Sequence, residues 1–197
     1  DCKQNVGAFD PNDKQGFPNG YGAEHYIRPG TELEYTIRFQ NTGTDTAFTV
    51  RIADTLSSWL DAGTIRPGPG SHPYRFNFTG PGYAEFLFEN IMLPDSNVNQ
   101  EGSNGFVKFS IYPRADAPLE TLIENNAAIY FDFNEPVITN TTRHRLGENF
   151  LMTVGAWQPQ RPEYRVSVSP NPFSASARLE VRGLESALPV HLQVFDL

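Results

Sequence analysis

Two polar residues fall on strand faces that otherwise read as interior. Asp54 follows Phe48, Val50 and Ile52 at alternate positions, and Asn125 shares a face with Ile129 and Phe131. Burying an unpaired carboxyl or amide costs roughly a few kcal/mol, so both side chains need partners inside. Lys14, well upstream, supplies an amine. A buried lysine has its pKa lowered, which frees the amine to attack. A buried acid stays protonated and polarises a neighbouring amide. Lys14 follows a turn, so the face it occupies cannot be read from periodicity. The competing reading is that Asp54 caps a turn with Thr55 and Asn125 bonds the backbone across a bend.

The remaining oxygen-rich segments suit calcium or turns. Asp95, Asn97, Asn99 and Glu101 alternate as at the start of an EF-hand loop. Gln100 stands where that loop needs its glycine, and no acidic residue closes it. Asp10, Asn12 and Asp13 form a second cluster, which Asp132 and Asn134 could join from a later strand. Turn formation accounts for all of them without a metal, so no cofactor is expected and structural calcium is the sole candidate. His25, His72, His144 and His191 are scattered, with no metal-ligand spacing. There is no Gly-x-Ser-x-Gly elbow and no phosphate-binding loop. An enzyme is not expected.

Short strands must position these residues. Gly and Pro number 16 each, and aromatics make up 13% of 197 residues, a rhythm of strands joined by turns. Thr31–Gln40 alternates most clearly, with Leu33, Tyr35, Ile37 and Phe39 on one face. Ala47–Asp54 is expected to turn Phe48, Val50 and Ile52 inward and Thr49 and Arg51 outward. Further strands are expected at Glu24–Arg28, around Tyr74–Phe78, at Ala84–Glu89 and at Phe106–Tyr112. One long strand, Leu122–Phe133, is expected to align Ile123, Ala127, Ile129, Phe131 and Phe133, and a last one covers Val137–Arg145. About eight two-faced strands predict an all-β, immunoglobulin-like antiparallel β-sandwich over 1–147. After a Pro-containing linker, 148–163, the pattern restarts at Tyr164–Ser169 and Ala177–Arg182. That predicts a partial second small β-sandwich domain over 164–197.

A net charge of −8 argues against nucleic acid as a partner. No apolar stretch reaches the roughly 20 residues needed to span a bilayer. Cys2 has no second cysteine with which to form an internal disulfide. With no initiator methionine, the chain reads as though cut from something longer, which leaves room for an upstream targeting signal.

The ordered motifs carry two resemblances. Val168-Ser-Pro-Asn-Pro-Phe173, with Pro170, Asn171 and Pro172 at its centre, is followed by Ala177-Arg-Leu-Glu-Val181 and Val190-His-Leu-Gln-Val-Phe-Asp-Leu197. This resembles the start of a type IX secretion C-terminal sorting domain, which closes many exported proteins of the Bacteroidota. Upstream stand Phe9-Asp-Pro-Asn-Asp-Lys14, Tyr35-Thr-Ile-Arg-Phe-Gln-Asn-Thr-Gly43, Leu93-Pro-Asp-Ser-Asn-Val-Asn99 and Asn126-Ala-Ala-Ile-Tyr-Phe-Asp-Phe-Asn134. They resemble a repeat domain that precedes such sorting domains and is related to the DUF11 surface-protein repeats. The resemblance implies the type IX machinery as a partner and the outer face of the outer membrane as the location. The order Lys14, Asp54, Asn125 also resembles the isopeptide arrangement of Gram-positive surface domains, which implies that the Lys14 amine attacks the Asn125 carboxamide with loss of ammonia while Asp54 assists.

Asp45-Thr46-Ala47 and Asp54-Thr55-Leu56 match the O-glycosylation pattern of exported Bacteroidota proteins. Thr46 is expected to be exposed and Thr55 occluded. The leading functional expectation is a non-catalytic structural spacer. The alternatives are a carbohydrate- or surface-binding adhesin module, with Tyr74, Tyr83 and Trp59 in an exposed row, and an accessory domain of an upstream hydrolase.

Overall fold

In the computed structural model the chain divides into two compact units, Asp1–Met152 and Thr153–Leu197. Residues 11–148, 165–169 and 175–182 are described. The first unit contains twelve strands among its described residues. They are β1 (Lys14–Phe17), β2 (Tyr26–Ile27), β3 (Leu33–Gln40), β4 (Ala47–Thr55), β5 (Arg66–Gly70) and β6 (Arg75–Thr79). After these come β7 (Tyr83–Leu93), β8 (Asn104–Ile111), β9 (Leu122–Asn125), β10 (Ala127–Phe131), β11 (Val137–Ile138) and β12 (Thr142–Leu146). A single 3₁₀ turn, Ala62–Thr64, is the only helical segment among the described residues.

The strands form a four-stranded sheet, β1-β3-β8-β5, and a five-stranded sheet, β11-β10-β4-β7-β6. A three-stranded sheet, β2-β12-β9, completes the unit. Alternation explains the layers. Leu33, Tyr35, Ile37 and Phe39 from β3 and Val107, Phe109 and Ile111 from β8 turn one side inward. Val50 and Ile52 from β4 and Phe86 and Phe88 from β7 meet them from the other. Rings mesh across the layers: Phe39 lies 5.2 Å from Phe88, and Phe86 lies 5.6 Å from Phe109. This is the expected sandwich, built by burying one face of each sheet.

Local departures from simple alternation occur at three places. Phe48 was expected inward but is 54% exposed. The β4–β7 register slips between Ala47 and Thr49. The Asp132 carboxylate accepts hydrogen bonds from the backbone N–H groups of Phe48 and Thr49, at 2.9 and 2.8 Å. Parity resumes at Val50 and carries through to Asp54. Phe133 was expected on the buried side and is fully exposed, because Asp132 takes a positive φ of 53° and ends the strand. Leu122–Phe133 is also not one strand. It breaks at Asn126 into β9 and β10, which pair in different sheets, β9 with β12 and β10 with β4. Val137–Arg145 divides in the same way into β11 and β12. Ile123, Asn125, Ala127 and Ile129 nonetheless keep a common inward face across the break.

In the second unit, β13 (Arg165–Ser169) and β14 (Arg178–Arg182) pair antiparallel, with Ser169 opposite Arg178. Pro170, Asn171 and Pro172, between them, lie outside the described residues.

Candidate functional site

Lys14, Asp54 and Asn125 come from three different sheets and converge in the core. Lys14 opens β1, and its side chain is wholly buried. Its backbone is held at this edge by the side chain of Asn140. The Asn140 amide donates to Lys14 O at 2.9 Å, and the Lys14 N–H donates to Asn140 Oδ1 at 2.8 Å. Asn140 thereby stands in for a neighbouring strand. One position pair further along, β1 approaches β12 so closely that a Cβ at Gly16 would lie 2.6 Å from His144 Cε1. Only glycine allows that approach. Asn140→Ala is expected to cost about 1–3 kcal/mol, two hydrogen bonds' worth. Faster amide exchange at Lys14 would report the fraying of β1, and unchanged exchange there would refute this role.

Asp54 sits near the end of β4, opposite Ala127 on β10 and Ala84 on β7. Both neighbours are buried alanines, so the small flanking side chains leave room above the carboxyl. The Lys14 ammonium position is directly bonded to Asp54 Oδ2. Its walls are aromatic. Nζ stands 4.7 Å from the centre of the Tyr35 ring and 5.4 Å from that of Phe109. Asn125 ends β9, opposite Thr142 on β12, whose hydroxyl donates to the Asn125 backbone carbonyl at 3.0 Å. The Asn125 side chain is buried beside Asp54, yet neither its oxygen nor its nitrogen makes a hydrogen bond, and Asp54 Oδ1 makes none either.

The electrostatics follow from dryness. Burial pushes the Lys14 amine below its ordinary value, against the opposing pull of Asp54. Burial likewise pushes the Asp54 carboxyl up, although Lys14 and Asn125 both work to lower it. Desolvation is the larger cause for each, so burial favours the neutral amine and the neutral acid over the ion pair. Burial also raises the Tyr35 phenol, so it remains protonated against the site.

Asp54 faces Lys14 and does not cap a turn with Thr55, and the Asn125 side chain bonds no backbone group. Asn140 and His144 escaped the sequence reading. Asn140 belongs to none of the candidate sites read from the sequence, and His144 is one of four scattered histidines. His144 Nε2 lies 2.9 Å from Pro18 O, and burial lowers its pKa. No spacing signal marks either residue, because both act on a strand far away in sequence.

The described oxygen-rich residues make hydrogen bonds within the chain. Asn12 Oδ1 accepts from the Gln40 N–H at 3.1 Å, and Asp13 pairs with Arg38. Asp95 Oδ1 accepts from the N–H groups of Asn97 and Val98. Asn99 Oδ1 accepts from Gly102 N, and the Glu101 carbonyl accepts from Asn104. Asp132 is spent on β4, as described. Asp10 lies outside the described residues, and among the described ones no three His, Cys, Asp or Glu side chains are placed to hold a metal ion. Thr46 is half-buried and Thr55 exposed, the reverse of the expected order, because Thr55 points outward beside the inward Asp54. The aromatic row is interrupted. Tyr74 donates its hydroxyl to Gly68 O and packs on Phe86 and Phe88, while Tyr83 and Trp59 remain partly exposed.

The first unit is an immunoglobulin-like all-β sandwich, and solved structures of bacterial pilin and adhesin domains share that fold. A variant of BcpA, the major pilin subunit of Bacillus cereus, matches with a TM-score of 0.50 at 16% identity, over 68% of this chain and 39% of the pilin. The Corynebacterium diphtheriae major pilin SpaA, described as a "modular pilus assembly stabilizing isopeptide bonds", matches at 12% identity. Its TM-score is 0.45, over 68% of this chain and 38% of the pilin. The collagen-binding domain of a Staphylococcus aureus adhesin is matched over its full length and 72% of this chain, at 12% identity and a TM-score of 0.41. At these identities the likeness is one of fold. The chain belongs to the family of domains of unknown function DUF7619, whose model matches residues 10–145. No curated protein matches it. Among the described residues no helix is long and apolar enough to cross a membrane.

Proposed function

We propose that this chain is a non-catalytic, load-bearing spacer from a secreted or cell-surface protein. Its first domain, 1–147, transmits tension. Its second, 164–197, begins a sorting domain that hands the protein to the type IX secretion machinery. The sorting assignment is supported by the order of the motifs around Pro170, Asn171 and Pro172, and Thr55 is the better-exposed of the two glycosylation candidates.

One observation carries the mechanical reading. β1 and β12 lie side by side and run the same way: Lys14 bonds Asn140, just before β12, while Pro18, just after β1, bonds His144 within it. β2 continues the arrangement by pairing parallel with β12, Tyr26 opposite Arg145 and Ile27 opposite Leu146. The chain therefore enters the domain at one end of this strand pair and leaves at the other. Tension along the chain shears these strands lengthwise, loading many hydrogen bonds and packed side chains together.

Single-molecule pulling tests this directly. Extension through the termini of the full chain is expected to need several-fold more force than peeling β1 from β3 through handles at Gln15 and Thr36, which are paired neighbours. Equal forces in the two geometries would refute a load-bearing role. The adhesin alternative has less support, since Tyr74, one member of its aromatic row, is turned into the core.

A further inference from the structure

We propose that Lys14 and Asn125 are joined by an intramolecular isopeptide bond, from Lys14 Nζ to Asn125 Cγ, formed by the protein itself with Asp54 carrying the protons. Three observations bear on it. The amine and the carboxyl are in direct contact, with both side chains excluded from water. The carboxamide of Asn125 is close enough to that same carboxyl to lower its pKa, yet neither of its polar atoms makes a hydrogen bond of ordinary geometry, an arrangement that natural interiors rarely leave unused. The residues on either side of Asp54 across the sheet are alanines, which leave space for the reacting groups.

The chemistry balances without any co-reactant. The neutral Lys14 amine attacks Asn125 Cγ while the protonated Asp54 carboxyl donates to the amide oxygen, forming a tetrahedral adduct. Asp54 then takes a proton from Nζ and passes one to Nδ2. The Cγ–Nδ2 bond breaks, one ammonia leaves, and the hydroxyl proton of the adduct returns to Asp54 as the carbonyl re-forms. A secondary amide remains, with Asp54 again protonated and hydrogen-bonded to it. No oxidation or reduction occurs. Burial supplies both protonation states, the amine lowered and the acid raised. Tyr35 and Phe109 supply the dry walls that maintain them.

The bond goes beyond the spacer reading, and it has a mechanical consequence if that reading holds. Force entering at Lys14 would cross directly to Asn125, which is paired to Thr142 on β12. Residues 15–124 would then lie outside the path of tension.

The test is mass spectrometry on the unaltered full chain, which needs no variant to fold and reads nothing about mechanics. The intact protein is expected to be lighter than its sequence by one ammonia, and digestion should yield a branched peptide containing both Lys14 and Asn125. Succinimide formation at an asparagine also removes ammonia, so the branched peptide decides. Asp54→Asn, which keeps the side-chain shape, is expected to slow linkage by about 10²-fold or more, the loss typical of a positioned acid–base group. Asn125→Ala should abolish it. Recovery of Lys14 and Asn125 only in separate, unlinked peptides from the folded wild-type chain would overturn the proposal.

Discussion

Lys14→Met is expected to destabilise the first domain by roughly 4–5 kcal/mol, measured as a shift in the urea unfolding midpoint. Two effects combine. A crosslink closing a loop of about 100 residues contributes up to about 4.7 kcal/mol by chain-entropy estimates, and the variant cannot form it. It also leaves Asp54 buried without the amide that serves as its hydrogen-bond partner in the linked chain. The pH dependence has a definite sign. Asp54 is already raised by burial, and losing Lys14 removes the main influence lowering it. A carboxyl whose folded pKa lies above its unfolded value of about 3.9 holds its full stability contribution below that pH. It loses that contribution as pH rises through the folded pKa. Lys14→Met should therefore be more stable near pH 4 than at neutral pH. The double variant Lys14→Met/Asp54→Leu should lose this pH dependence, because no buried carboxyl remains. Its residual deficit against wild type isolates the crosslink, since replacing both hydrogen-bonded partners by apolar groups of similar shape can be nearly neutral. A single variant as stable as wild type at neutral pH would contradict both effects.

Phe109→Ala is expected to cost about 3–5 kcal/mol, the range for deleting a fully buried aromatic. Phe109 is 1% exposed and joins the two main layers, touching Tyr35 at 5.2 Å within its own sheet and Phe86 at 5.6 Å in the other. It is also one wall of the Lys14 site. The vacated space borders the Lys14 amine and the Asp54 carboxyl, and a cavity with polar partners of that kind admits water. Water would return charge to the amine and end its nucleophilicity. Loss of stability and loss of linkage should thus appear together in Phe109→Ala. Phe109→Leu keeps the site dry and should retain most of the crosslinked fraction at a smaller stability cost. Urea midpoints and the fraction of branched peptide check both. Full linkage in a folded Phe109→Ala chain would show that dryness at this wall is not what activates the amine.

Strand periodicity carried much of this into the sequence. Leu33 to Phe39 and Val107 to Ile111 alternate without interruption because their sheet buries one face only, and a period of two leaves no choice of side. Asp54 and Asn125 were legible for the same reason, as polar residues on inward parities. Phe48 misled because a side-chain hydrogen bond from Asp132, more than eighty residues away, coincides with a register slip that periodicity cannot register. The exposures of Thr46 and Thr55 were inverted for a related reason. Thr55 alternates with a buried neighbour, whereas Thr46 sits where that slip begins.

Composition and alternation alone thus determined the all-β class, the faces of the long strands and the burial of two polar groups that had to find partners. Only the tertiary structure decided which partners. Lys14 turns inward because Asn140 and Gly16 bring β1 against β12, a long-range contact with no local signature. Asn125 reaches Asp54 because the chain changes sheets at Asn126, so that β9 and β10 continue one inward face through two layers. Periodicity is a property of each strand by itself, whereas the meeting of an amine, an acid and an amide depends on how three sheets close around one dry space.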